Sequence, residues 1–296
     1  MKRICSCCRA ATLLAAFSVS VAQADFKAGV AASSQYDSNV LPDPELVDGR
    51  VSAAWGQKYS AYMALSADID KRWQLVGRYD LSRSVWNDVS GYDSRIQSGY
   101  LRLSRRGIWS PEVVLLGADA HVEGRDFMQL RRISPALGYL LSKRWYLRTQ
   151  LDLSDKHFQD YAERDSRQLH GRLLAFWLLD GTRRYLSVQG GLKQENADDD
   201  LYSYQAWVGR IKWKQRLVVM DSWFSVKAER RMYDTVRLSL GEERQDMRWR
   251  LASGLSWPLG AGIEMTGEVG RDMYHSNLDV ADYAQNRLEV GIRWDY

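Results

Sequence analysis

Asn286-Arg287-Leu288-Glu289-Val290-Gly291-Ile292-Arg293-Trp294-Asp295-Tyr296 closes the chain with its cleanest alternation. Leu288, Val290, Ile292, Trp294 and Tyr296 share one parity, and Arg287, Glu289, Gly291, Arg293 and Asp295 share the other. Successive side chains of a strand point to opposite faces, so this segment has one apolar and one charged face. In a soluble sandwich a strand ending in a free aromatic terminus would fray. About ten residues with apolar side chains toward lipid, polar ones inward and an aromatic at the interface make a typical closing strand of an outer-membrane barrel.

The same two-residue rhythm recurs upstream. Trp73, Leu75, Gly77, Tyr79 and Leu81 alternate with polar positions, as do Trp145, Leu147, Thr149, Leu151 and Leu153. Leu186, Val188, Gly190 and Leu192 form another set, followed by Trp249, Leu251, Ser253, Leu255 and Trp257, then Ile263, Met265, Gly267 and Val269. Helical geometry would scatter each set around a cylinder, whereas a strand gathers it on one face.

Two kinds of connection separate these runs. Short turns are expected near Ile69-Arg72, Arg105-Ile108, Ser142-Lys143, Asp180-Thr182, Lys214-Gln215 and Leu259-Ala261. Longer polar loops are expected near Asp37-Arg50, Val85-Asp93, Glu123-Asp126, Gln159-Asp165, Asn196-Asp200, Thr235-Gln245 and Ser276-Tyr283. The two kinds alternate and join fourteen strands, which places both termini on the short-turn, periplasmic side. The least regular strands are the second, around Gln57-Asp68, and the sixth, around Phe127-Leu141, where Pro135 removes a ladder donor. Tryptophan marks the same topology. Trp73, Trp109, Trp145, Trp177, Trp213, Trp257 and Trp294 all neighbour a short turn or the C-terminus, as an aromatic girdle at one rim would. The fold class is therefore all-β, a transmembrane antiparallel up-and-down barrel of about 14 strands.

The N-terminus fits export. Lys2, Arg3 and Arg9 precede an apolar run from Ala10 to Val21 and the small-x-small site Ala22-Gln23-Ala24, which reads as a signal peptide over residues 1–24 with the barrel domain over 25–296. All three cysteines, Cys5, Cys7 and Cys8, fall in that leader, so the mature chain can form neither a disulfide nor a thiolate metal site. Of the 41 Lys and Arg residues the leader takes three and leaves 38 against 37 Asp and Glu, which excludes a nucleic-acid footprint. The mean hydropathy of −0.42 suits a barrel, where only alternate residues meet lipid.

On the inward parity, Arg248, Arg250, Glu264, Glu268, Arg287, Glu289 and Arg293 fall on three consecutive strands, the last of which also carries Asp295. Opposite charges on neighbouring strands pair favourably, so these residues are expected to line and stabilise a wet lumen. Their mixed signs argue against a strongly ion-selective pore. Catalysis is not expected. None of His121, His157, His170 and His275 has Ser two residues later, the spacing that would put both on one strand face. His275 and Ser276 are adjacent and would face oppositely. The acidic loop Asp198-Asp199-Asp200 and the looser set Asp37, Asn39 and Asp43 match no calcium-loop spacing, and no cofactor or metal is expected.

Several stretches carry a family resemblance. Gln35-Tyr36-Asp37-Ser38-Asn39-Val40, Asp198-Asp199-Asp200-Leu201-Tyr202-Ser203-Tyr204, Ser276-Asn277-Leu278 and the run from Tyr283 to Trp294 resemble the barrel domain of the surface lipoprotein assembly modifier family. The resemblance spans essentially the whole mature chain and implies a fourteen-stranded barrel acting in export or surface display of a protein cargo. Similar Tyr-Asp-Ser-Asn stretches occur in barrels of exopolysaccharide exporters. Both groups usually carry periplasmic helical repeats, and this chain has no 34-residue helical repeat. Trp294 and Tyr296 also resemble the C-terminal signal read by the barrel assembly machinery. The expected partners are outer-membrane lipid and lipopolysaccharide, that machinery, and a surface lipoprotein or periplasmic repeat protein. The rival to the export role is a passive porin, or an exopolysaccharide-export channel for solutes.

Overall fold

The computed structural model describes residues 24–40, 53–89 and 91–296. The expected leader, apart from Ala24, and most of the Asp37-Arg50 loop lie outside the described residues. Fourteen antiparallel strands close into one barrel, each paired to its sequence neighbours and β1 to β14. They are β1 (Ala24–Asp37), β2 (Ala54–Asp68), β3 (Trp73–Trp86), β4 (Ser94–Arg105), β5 (Trp109–Val122), β6 (Arg125–Ser142) and β7 (Trp145–Phe158), then β8 (Ser166–Asp180), β9 (Arg184–Ala197), β10 (Tyr204–Arg216), β11 (Asp221–Arg237), β12 (Glu242–Gly260), β13 (Ile263–Ser276) and β14 (Tyr283–Asp295). Among the described residues no helix is long and apolar enough to cross a membrane.

Closure removes the free edge. β1 and β14 pair from Gly29↔Asp295 to Asp37↔Arg287. The terminal Tyr296 N–H donates to the Ala28 carbonyl at 2.8 Å, and Ala28 N–H returns a bond to the Tyr296 carbonyl at 3.3 Å, so the last residue is pinned. Pairing round the full wall gives the backbone of the spanning strands its partners inside the barrel, which a hydrocarbon environment requires.

The alternation of the closing strand holds round the barrel. On β14, Val290, Ile292 and Trp294 are about half exposed on the outer face. Outward positions through the middle of the wall, such as Leu75 and Tyr79 on β3, Leu101 and Leu103 on β4, Leu169 and Leu173 on β8, and Met265 and Val269 on β13, are apolar, and outward charges such as Arg83, Asp119, Asp155 and Arg271 lie toward the long-loop rim. Apolar side chains therefore form the outside, and the interior is polar, the reverse of a soluble core.

Three connections differ from the sequence reading. The expected loop at Glu123-Asp126 is a two-residue turn, with Glu123 at φ 51° and Gly124 at φ 73°, so β5 and β6 run straight into each other. Two successive positive φ values are the hairpin geometry whose twist matches the flanking strands. The expected loop Thr235-Gln245 shrinks to residues 238–241, because Val236↔Glu243 and Arg237↔Glu242 continue the ladder after a register shift. The turn expected at Lys214-Gln215 lies instead at residues 217–220, since β10 keeps its alternation through Arg216. Both irregular strands are complete. Around Pro135 the β6–β7 pairing omits Ser134 and Pro135, and the Ser134 hydroxyl instead donates to Asp152 Oδ1 at 2.7 Å.

Candidate functional site: the lumen wall

Cross-strand partners share a face, so the registers fix which charges meet. All seven lumen candidates face inward. Glu264 lies opposite Arg293, Glu268 opposite Glu289, and Arg250 opposite Asp272. Arg250 grips Asp272 through two bonds of 2.9 Å, and Arg287 Nη2 reaches the same carboxylate at 3.1 Å. Arg293 pairs with Glu264 and, at 3.1 Å, with Asp295. Arg248 bonds Asp246 on its own strand at 3.0 Å, where Arg244 holds the other carboxylate oxygen at 2.8 Å. Glu268 is exposed and joins no ion pair among the described residues. The hub of this half of the wall is Asp272, whose side chain is 2% exposed and which was not among the sequence candidates.

A second cluster, on β7 to β11, was also missed. Glu229 has a side chain only 4% exposed and takes three cations, Lys193 at 2.7 Å and Lys227 and Arg231 at 2.8 Å. Lys156 meets Glu195 at 2.7 Å, and Arg172 meets Asp152 at 2.6 Å. Tyr204 donates to Glu195 Oε2 at 2.7 Å, packs against Tyr233 with ring centroids 5.3 Å apart, and lies under the Arg231 guanidinium at 4.5 Å. The sequence signal was present in charges at a spacing of two, Lys227-x-Glu229-x-Arg231 and Arg244-x-Asp246-x-Arg248-x-Arg250. Apolar neighbours such as Ala206, Val208 and Phe176 on the same inward face masked it.

Several pairs step over an intervening strand. Lys58 on β2 reaches Glu289 on β14 at 3.0 Å above Ser33 of β1, and Tyr62 reaches Asp295 at 2.9 Å above Gly29. Arg148 and Glu112 meet at 2.7 Å across β6, and Lys193 and Glu229 meet across Ala206 and Val208 of β10. Adjacent strands are about 4.8 Å apart, so two long side chains cover the two-strand span only if the residue between is small. A Cβ on Gly29 would sit 2.5 Å from Asp295 Oδ1 and from the Tyr62 ring. Among the described residues no ion pair links strands more than two apart round the wall.

The seven girdle tryptophans all face outward at the short-turn rim. Trp145 stacks on Trp177 at 6.1 Å, Trp109 lies 4.2 Å from Tyr139 with the rings tilted by 31°, and Trp294 lies 6.3 Å from Tyr296. Trp73, Trp213 and Trp257 lie opposite Arg105, Phe224 and Met265. Trp86 and Trp223 face inward, which sequence spacing to a turn did not separate from the rest. His275 and Ser276 face opposite sides of β13. His275 is exposed outside, while the Ser276 hydroxyl donates inward to Asp246 at 2.8 Å. Asp199 accepts from Leu201 N–H and so caps a 3-10 turn, and among the described residues no three His, Cys, Asp or Glu groups are gathered for a metal.

No family model matches the chain, and no curated relative resembles it in sequence. Solved structures do resemble it in fold. The crystal structure of OccAB3 from Acinetobacter baumannii aligns over 92% of this chain and 100% of that one, at 9% identity and a TM-score of 0.51. An outer membrane protein of Vibrio cholerae, OmpT with its loop L8 deleted, aligns over 93% and 99% at 6% identity and a TM-score of 0.57. The apolar exterior, the closed hydrogen-bonded wall and these likenesses agree: the protein is a fourteen-stranded β-barrel of the bacterial outer membrane.

Proposed function

We propose that the barrel is a passive channel for small polar solutes. The observation that carries this reading is the direction of the lumen ion pairs, which run along the wall and not across the bore. Fourteen strands tilted by about 40° put the backbone roughly 14 Å from the axis, beyond the reach of one extended arginine. Charges that are satisfied by wall neighbours leave the centre to water and solute. Because both signs are present and most are paired, weak preference between cations and anions is expected. Purified protein in planar bilayers should give discrete conductance steps with weak ion selectivity, and in liposomes should admit small sugars and amino acids. A sealed bilayer at saturating protein would sink the proposal.

The export reading rests on the short stretches shared with the surface lipoprotein assembly modifiers. Gln35–Val40 and Asp198–Tyr204 lie at the long-loop rim, and the run from Tyr283 descends the closing strand. Surface lipoproteins that vanish on deletion of the gene, with solute uptake unchanged, would favour that reading over the channel. In either case Trp294 and Tyr296 serve as the signal for the barrel assembly machinery, and Tyr296 is 78% exposed on the lipid side.

A further inference from the structure

The outer face ends in a basic tier. On β3 the outward residues Trp73, Leu75, Gly77, Tyr79 and Leu81 are followed by Arg83. Ten residues of tilted strand span about 25 Å, the height of a barrel's apolar band, so Arg83 sits at the headgroup level of the long-loop side. Arg95, Arg131, Arg167, Arg230 and Arg271 face outward toward the same rim on β4, β6, β8, β11 and β13. Asp155 lies opposite both Arg131 and Arg167 and offsets that part. Asp119 on β5 also faces outward here, opposite Gln97 and diagonal to Arg95, but forms no ion pair with Arg83 or Arg95.

These two are direct cross-strand partners, both exposed, and neither joins an ion pair among the described residues. Arg95 makes one long contact, 3.4 Å to Gln97 Oε1, whose oxygen also accepts the Tyr79 hydroxyl at 2.8 Å. Like charges placed directly opposite on a sheet repel. Both guanidinium groups face the lipid side without an acid in contact among the described residues, a position in which an anion from outside would offset them. Two guanidinium forks side by side suit the oxygens of a phosphate, and the apolar strip of Leu81, Leu101 and Leu103 beneath suits acyl chains. We infer that Arg83 and Arg95 clamp a phosphomonoester of a phosphorylated glycolipid in the outer leaflet, with its chains lying down the β3–β4 face.

The test uses the full barrel in detergent micelles, with lipid A carrying two phosphates, enzymatically dephosphorylated lipid A, and inorganic phosphate as probes. Native mass spectrometry should show bisphosphorylated lipid A retained, and R83Q/R95Q should weaken retention by about tenfold, the effect of losing charge-assisted bonds of this kind. Without lipid the double variant should unfold at a higher temperature than the parent, because the repulsion is gone; with lipid A it should gain less. The variant K71Q/R72Q removes the same charge from the opposite rim and should retain lipid A as the parent does. Equal retention by R83Q/R95Q, or equal binding of dephosphorylated lipid A, overturns the assignment. Stabilisation reproduced in full by inorganic phosphate overturns the lipid as its source.

Discussion

Glu229 and Glu268 carry the same side chain on the same inward face and should answer mutation differently. Glu229 is enclosed by three cations, and removing it leaves buried positive charge without a partner. Glu229→Ala should destabilise the barrel by about 3–5 kcal/mol, whereas Glu268→Gln, exposed and unpaired among the described residues, should change it by less than about 0.5 kcal/mol. Urea titration followed by gel mobility of folded and unfolded forms would measure both. At the periplasmic rim, the Asp70 carboxylate accepts the Trp73 N–H at 2.7 Å and the Arg72 N–H at 2.6 Å, which holds its pKa below the ordinary carboxylate range. Its support of the β2–β3 turn is therefore full above the ordinary Asp value and is lost as pH falls through the lowered one. Carboxylate carbon shifts in micelles should titrate below about pH 3.9, and a midpoint at or above that value would contradict the turn geometry.

Hairpins were legible in kind more than in length. Alternation and turn residues together located the strands, but at β5–β6 and β11–β12 polar residues that read as loop continue the ladder outside the apolar band. There the outward face meets water or headgroups, so hydropathy no longer separates strand from loop. The Glu123-Gly124 turn needs positive φ at both positions, and Gly124 supplies it without strain. Gly124→Val should cost more than about 1 kcal/mol and loosen this hairpin selectively, measurable as faster amide exchange at its end with the rest of β5 and β6 unchanged.

Closure is a property of the whole wall. Gly29 gives Tyr62 a path over β1 to Asp295, tying β2 to β14 across the seam. Gly29→Val would force the tyrosine, the aspartate or the Trp294 carbonyl aside and should lower stability by about 1–3 kcal/mol. A lower temperature for conversion to the heat-unfolded gel band is the readout, and an unchanged temperature would show that the seam relaxes freely.

The sequence by itself determined the strands, their number, the lipid and lumen faces and the tryptophan rim, because these depend only on a period of two and on the residues that turn a chain. It also placed Arg248 to Arg293 on the inward side. The tertiary structure alone decided which acid meets which base. Asp272 gathers Arg250 and Arg287 from the strands on either side, and Lys193 meets Glu229 over an alanine and a valine on the strand between them. Such partners are fixed by the relative stagger of three strands, and no single strand's pattern contains that stagger.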